Sequence, residues 1–509
     1  MPHRRIPGPA LLCAAALLAS VGFLRCAPAP ISAPSPPPAS VTGLLGGEDP
    51  GGFARAMAPR DFRFPDDHGP HPGFRHEWWY FTGNLRAPGG RRFGYQLTFF
   101  RFALSPDTPD RASRWGTNQA YMAHFAVTDV EGRRFHPFER TGRGALGLAG
   151  ATARPFRAWL DDWSAEGTKS STLPIRLRAA EDAASIDLVL DSARPVVLQG
   201  DRGLSRKGAT PGNASYYYSM TRLATRGTVR IDGVSFPVEG ISWLDREWGT
   251  SSLEKGQAGW DWFALQLSDG RDLMFYRLRR GDGATDPFSA GTLVLPDGSV
   301  RPLSADDVRI ETLGTWKSPE SGARYPSRWQ MLLPSEGLEL EVVPRIADQE
   351  LRTSVRYYEG AIGVRGTSRG EAVEGDGYVE LTGYGEQGTG GNGNLAPCPD
   401  TPNCVSSQAK NADQRVDPIL FSGDSASAWS RLRKVIAEMK GARITEEATG
   451  YLHAEFRSAW FGFVDDVEFR MDEGAGRIDV RSASRKGYYD FGVNRRRVEE
   501  IRARFAREP

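Results

Sequence analysis

Cysteine is scarce in this chain: four occur in 509 residues, and two of them, Cys13 and Cys26, fall in the first 26. The other pair, Cys398 and Cys404, stands in Cys-Pro-Asp-Thr-Pro-Asn-Cys, with no further cysteine or clustered histidine to complete four metal ligands. A small-loop disulfide between them, formed in an oxidising compartment, is the expectation. Histidine is scarce too. The seven are scattered, and His68, His71 and His76 follow no metal-ligand spacing, so neither a metal nor another cofactor is expected. An excess of one charge is also missing, with 64 basic side chains against 63 acidic ones, which removes the electrostatic case for nucleic acid as a partner. No P-loop and no strand–serine–helix elbow of the serine hydrolases is expected. Long amphipathic helices are missing until roughly the last hundred residues.

Long apolar runs are limited to one, residues 11–24, which follows His3, Arg4 and Arg5 and is soon followed by proline and serine. It is too short for a membrane span and reads as an export signal over residues 1–26. Cys26 comes directly after Phe23-Leu24-Arg25, where a bacterial lipoprotein carries its lipidated cysteine, although Arg25 takes a place normally held by a small residue. Lipidation at Cys26 and cleavage by the ordinary signal peptidase are the two readings. Both send the protein out of the cytoplasm, to the periplasm or to the cell-envelope membrane through a lipid anchor. Residues 27–60 read as a Pro/Ser/Gly-rich tether.

Glycine (58), proline (35) and aromatic residues (10%) are plentiful, and short alternating runs separated by turn signals predict a mainly β protein. Residues 92–102, 121–129 and 186–190 are such runs, and a polar loop over 200–214 leads into Tyr216-Tyr217-Tyr218. The pattern restarts after Trp262, which divides the region into antiparallel units over 61–250 and 251–385. Residues 386–394 are a Gly-rich linker. Gly388 to Gly393 satisfies G-x-G-x-x-G, but no helix opens after it and Pro397 follows. The remainder, 395–509, is a small α+β domain with helices over 426–439 and 495–505 and strands over 451–456 and 464–471.

Three blocks combine aromatic rings with acids: His76-Glu77-Trp78-Trp79-Tyr80-Phe81, Trp243-Leu244-Asp245-Arg246-Glu247-Trp248-Gly249 and Gly259-Trp260-Asp261-Trp262-Phe263. Alternation on an extended strand puts Trp243, Asp245 and Glu247 on one face and Leu244, Arg246 and Trp248 on the other. Taken singly, each block is what a barrel core or a structural ion pair would carry. Taken together they predict an aromatic-walled pocket that holds a few carboxylates.

These blocks, with Arg356-Tyr357-Tyr358-Glu359-Gly360-Ala361, resemble the AttH-like/carotenoid 1,2-hydratase superfamily over about residues 61–384. The resemblance implies two tandem lipocalin-like β-barrels and a hydrophobic, lipid- or isoprenoid-like ligand held in such a barrel. It implies a carotenoid 1,2-hydratase-like lyase, or the secreted hydrolase that exported members are described as. Adding water to a trisubstituted alkene needs an acid that stays protonated near neutrality and ring faces to steady the cation. By the family pattern Asp245 would be the donor, with Asp261 and Glu247 in reserve. Trp243, Trp248, Trp260, Trp262, Trp78, Trp79 and Tyr80 would line the ligand, supported by His76, Glu77 and Arg246. Arg246 beside Asp245 would favour the ionised carboxylate, unless Glu247 absorbs it. A carrier or chaperone of envelope lipids, with the same pocket and no chemistry, is the alternative. The opening around Cys398 and Cys404, with Phe463 to Glu468, Arg481 to Arg485 and Gly487 to Arg495, resembles a domain family of unknown function over residues 395–508.

Overall fold

The computed structural model describes residues 39–40, 51–107, 113, 115–192, 194–250, 253–254, 256–384, 395, 398, 402–448, 450–457, 464–484, 490 and 492–508. The export signal with Cys26, most of the tether, the 386–394 linker, Arg485 and residues 487–489 lie outside them.

Two large sheets follow one another in the chain, antiparallel throughout except where Ala39–Ser40 lies parallel to Val355–Ser368 in the second. In the first, each strand pairs with the next, apart from two short strands laid on Ala214–Ile231 and the step from Arg134–Arg143 to Ala149–Ala153. The first strand, His76–Arg86, pairs with the last, Val234–Gly249, from Arg86↔Glu239 to His76↔Gly249. The ends of the path, Arg134–Arg143 and Ala149–Ala153, are consecutive strands. A meander whose first and last strands pair has rolled up into a barrel. The second sheet repeats the plan: Gln257–Leu267 pairs with Glu371–Leu381, and the path ends at the consecutive strands Val300–Ser304 and Arg309–Lys317. Both interiors are filled with apolar side chains, among them Phe81, Leu97 and Trp163 in the first barrel and Phe263, Trp329 and Leu340 in the second.

Burial along single strands shows where the barrels meet. Ile175–Ala180 alternates strictly between buried and exposed, one face in the core and one in water. Val234–Gly249 is partly exposed in its first half, but Ser242 to Gly249 are all buried, because the second barrel covers the outer face there. Gly94 marks how close the barrels come: a Cβ at that position would stand 2.3 Å from the Cβ of Ala361. Polar bridges cross the same seam. Gln266 Nε2 donates to the carbonyls of Thr221 (2.6 Å) and Ser242 (3.0 Å), and Arg194 and Arg222 of the first barrel hold Asp272 of the second.

The C-terminal unit is a six-stranded antiparallel sheet covered by Ser425–Ala437 and Val493–Phe505. Asp424 caps the first helix by accepting from the backbone N–H of Ser427 at 2.8 Å. Leu432, Ile436, Val498 and Ile501 pack on Leu452, Phe469 and Val480. Cys398 and Cys404 are joined as a disulfide. The polar residues of this unit pair with one another, Asp465 with Arg497 at 2.5 Å and Glu468 with Arg481 at 2.7 Å.

Candidate active site in the seam between the barrels

Successive side chains of a strand take opposite faces, and here the two faces serve different ends. Along Val234–Gly249, Leu244 enters the core of the first barrel, while Trp243, Asp245 and Glu247 point towards the second. Along His76–Arg86, Trp79 and Phe81 enter the core, while His76, Trp78 and Tyr80 face the seam. Gln257–Leu267 answers from the other side, with Phe263 and Leu265 inward and Trp260 and Trp262 on the seam. Between them lies a cavity of about 110 Å³, walled by aromatic residues including Trp78, Tyr80, Trp260, Trp262 and Tyr276, and bearing Asp245, Glu247, Glu380 and Lys207. The expected pocket inside a barrel is therefore corrected. Both interiors are packed, and the cavity is enclosed by the outer faces of two barrels.

Asp245 is buried and forms no ion pair among the described residues. Ser219 Oγ donates to its Oδ1 at 2.5 Å, Trp243 Nε1 donates to the same oxygen at 2.6 Å, and the Tyr217 hydroxyl donates to Oδ2. Trp262 Nε1 in turn donates to the Tyr217 oxygen at 3.1 Å. Burial pushes the Asp245 carboxyl up to about 7; the three hydrogen bonds oppose that rise, and Glu247 adds to it. The carboxyl is thus poised near neutrality. The three donors also stand ready to hold the carboxylate once its proton has left.

Other acids share the seam. Glu247 accepts from Ser215 and pairs with Lys207 Nζ at 3.3 Å, and that ammonium lies 3.9 Å from the centre of the Tyr276 ring. Burial opposes the charge on Lys207, but Glu247 and its neighbours outweigh burial and raise its pKa. Glu380 accepts from Trp260 Nε1 at 3.0 Å and is pushed by burial up to about 8, with Glu247 and Asp245 adding to the shift. Glu359 accepts from the Tyr80 hydroxyl at 2.7 Å, and burial followed by Glu380 holds it well above the usual carboxylate range.

Several expected site residues lie elsewhere. Arg246 points away from Asp245 to the other face and, with Arg101, encloses Glu77. Burial works against the Glu77 charge, but Arg246 and Arg101 overcome it and hold the carboxyl well below its ordinary range. Trp248 belongs to the same end of the first barrel, with His71 stacked on it at 3.8 Å, and Trp79 lies beneath the Arg246 guanidinium at 4.0 Å. Trp79, Trp248, Glu77 and Arg246 therefore lie outside the seam cavity, packed and paired with one another, and the expectation that Glu247 absorbs Arg246 gives way to the Lys207 pair. Asp261 is turned inward, away from the cavity, where Arg277 and Arg279 bind it and Tyr384 donates to it at 2.9 Å. One Gly-x-Ser-x-Gly string does occur, Gly366 to Gly370, but it forms a hairpin turn between two strands, and Ser368 Oγ accepts from Arg271 at 2.5 Å.

Lys207, Tyr217, Ser219, Tyr276 and Glu380 belong to the site, although the aromatic-acid blocks do not contain them. A signal for one was present. Tyr216-Tyr217-Tyr218 lies within the strand Ala214–Ile231, where alternation isolates Tyr217 on the seam face together with Ser215 and Ser219.

Two meander barrels with an acid-bearing aromatic cavity in their shared seam define the class. The chain belongs to the AttH-like family, whose sequence model matches residues 55–384. A solved structure of an AttH-like protein from Nitrosomonas europaea is 34% identical, with TM-score 0.58, covering 65% of this chain and all of that one. Kievitone hydratase from Fusarium solani subsp. phaseoli is 24% identical over 216 residues, which are 40% of this chain and 59% of that enzyme. The solved kievitone hydratase from Nectria haematococca matches at TM-score 0.51 and 15% identity, over 66% of this chain and 97% of that one, a likeness of fold. Residues 394–505 match a family described as a protein of unknown function, DUF1499, fused behind the barrels.

Proposed function

We propose that the seam cavity is the active site of an acid-catalysed addition of water to an alkene carried by a hydrophobic, isoprenoid-like molecule. The carrying observation is Asp245: a carboxyl buried without an ion pair among the described residues, held by three neutral donors, in a cavity walled by rings. Its proton goes to the less substituted alkene carbon. The tertiary cation left behind is steadied by indole and phenol faces, each worth about 0.5–2 kcal/mol, and water captures it. Tyr217, Trp243 and Ser219 hold the carboxylate meanwhile. The matched hydratase of kievitone supports water addition as the reaction class. Export, with Cys26 as anchor to the envelope membrane, remains part of this reading through the leader.

The test is incubation with a panel of prenylated phenols and isoprenoid alkenes in heavy-oxygen water, read by mass spectrometry. Wild type is expected to form a labelled alcohol. Asp245→Asn is expected to form none while still binding the alkene, as read from quenching of tryptophan fluorescence. A ligand that binds wild type tightly and is always recovered unchanged would replace this reading with a lipid carrier.

A further inference from the structure

Tyr357, on the strand Val355–Ser368 of the second barrel, lines the seam cavity. Its hydroxyl lies 2.6 Å from Nδ1 of His124, on the strand Gln119–Asp129 of the first barrel. Nε2 of His124 lies 3.0 Å from Oε2 of Glu139, its cross-strand neighbour, and that same oxygen accepts from Ser354 Oγ at 2.7 Å. His124 is fully buried between Phe100, edge-on at 5.4 Å, and Tyr357, while the Glu139 side chain is 15% exposed. A carboxylate facing Nε2 requires the imidazole proton there, which leaves Nδ1 bare to accept from the phenol. Carboxylate, imidazole and hydroxyl thus stand in the order of a nucleophile–base–orienter triad, with the hydroxyl in the cavity.

We propose that Tyr357, His124 and Glu139 are the base half of the reaction, taking up the proton that the attacking water must lose. The inference rests on the hydration reading. Asp245 forms the new C–H bond and becomes a carboxylate. The water oxygen bonds to the cation, and one water O–H bond breaks. Its proton passes to the Tyr357 oxygen as the phenol's own proton passes to His124 Nδ1, and the imidazolium faces the Glu139 carboxylate. Once the product has left, Tyr357 gives its proton to water in the cavity and takes back the one on His124 Nδ1, and Asp245 takes up a proton, which restores both groups. Burial, with Glu359, Glu380 and Tyr378 around it, keeps the Tyr357 phenol protonated at rest, so it shuttles a proton and does not stand as a phenolate. Tyr357 is then the catalytic residue, and His124 and Glu139 are positioning residues acting through it.

The full chain with nitrogen-labelled histidine decides the polarity of the relay without turnover. The His124 signal is expected to show a protonated Nε2 and a bare Nδ1, the latter shifting in Tyr357→Phe. A protonated Nδ1 overturns the proposal whatever the enzyme turns over. On an alkene hydrated by wild type, Tyr357→Phe and His124→Asn are expected to lower kcat about 100-fold or more with KM within about twofold. Glu139→Gln is expected to keep turnover but move the acidic limb of the pH profile to lower pH, because the imidazolium has lost its carboxylate. A purely structural seam bond would move none of that limb. Unchanged kcat in Tyr357→Phe, with Asp245→Asn inactive, sinks the base assignment and leaves the donor. Turnover surviving in Asp245→Asn but lost in Tyr357→Phe sinks the donor and leaves the base. Tyr357→Phe removes one buried oxygen only, so it serves where His124→Asn does not fold.

Discussion

Asp245 and Glu77 show how one side-chain type is set to opposite charge states by what its strand faces. Glu77 is enclosed by two guanidiniums and stays ionised, whereas Asp245 meets neutral donors only and is pushed up to about 7. A proton donor works while it is protonated, so hydration is expected to fall about tenfold per pH unit above about 7. Burial holds His124 below its ordinary pKa, so a neutral base remains available on the acidic side of that limb. Ser219→Ala removes one donor to the carboxylate and is expected to move the basic limb upward. A pH–rate profile checks both, and one that stays level through about pH 9 would remove Asp245 from the donor's role.

At the scale of the element, Val234–Gly249 carries stability on one face and chemistry on the other. Glu77→Gln leaves Arg246 and Arg101 buried without their anion and is expected to cost about 3–5 kcal/mol in urea unfolding. The division of Trp243, Asp245 and Glu247 from Leu244, Arg246 and Trp248 was legible in the sequence, because it follows from period two alone. Which face meets the core and which the seam was not, because Ser242 to Gly249 are buried on both. Asp261 sits between two tryptophans much as Asp245 follows one, and only cross-strand register, Asp261↔Arg277, shows that its face is the inner one. Lys207 and His124 were hidden for a plainer reason. Their partners lie far along the chain, Tyr357 being 233 residues from His124, and no local pattern carries such a pairing. The tandem barrels themselves were readable, because the alternation restarts after Trp262 and the family motifs stand in order.

At the scale of the whole molecule, the seam gathers acids that water would ionise. Folding raises the Glu380 carboxyl from 4.5 to about 8, so the folded chain holds a proton that the unfolded chain releases across that interval. Its stabilising effect is full below the lower value and is lost as pH rises through the upper one, up to about 5 kcal/mol in all. Glu380→Gln is expected to melt higher than wild type at about pH 8 and to lose less stability between about pH 5 and pH 8. Equal slopes by calorimetry would place Glu380 in water. The cavity has its two walls on two barrels, so a guest there touches both at once. Its affinity and the docking of one barrel on the other are then a single reciprocal coupling. Whatever pries the barrels apart weakens the guest's grip, and a tightly held guest fastens the barrels together.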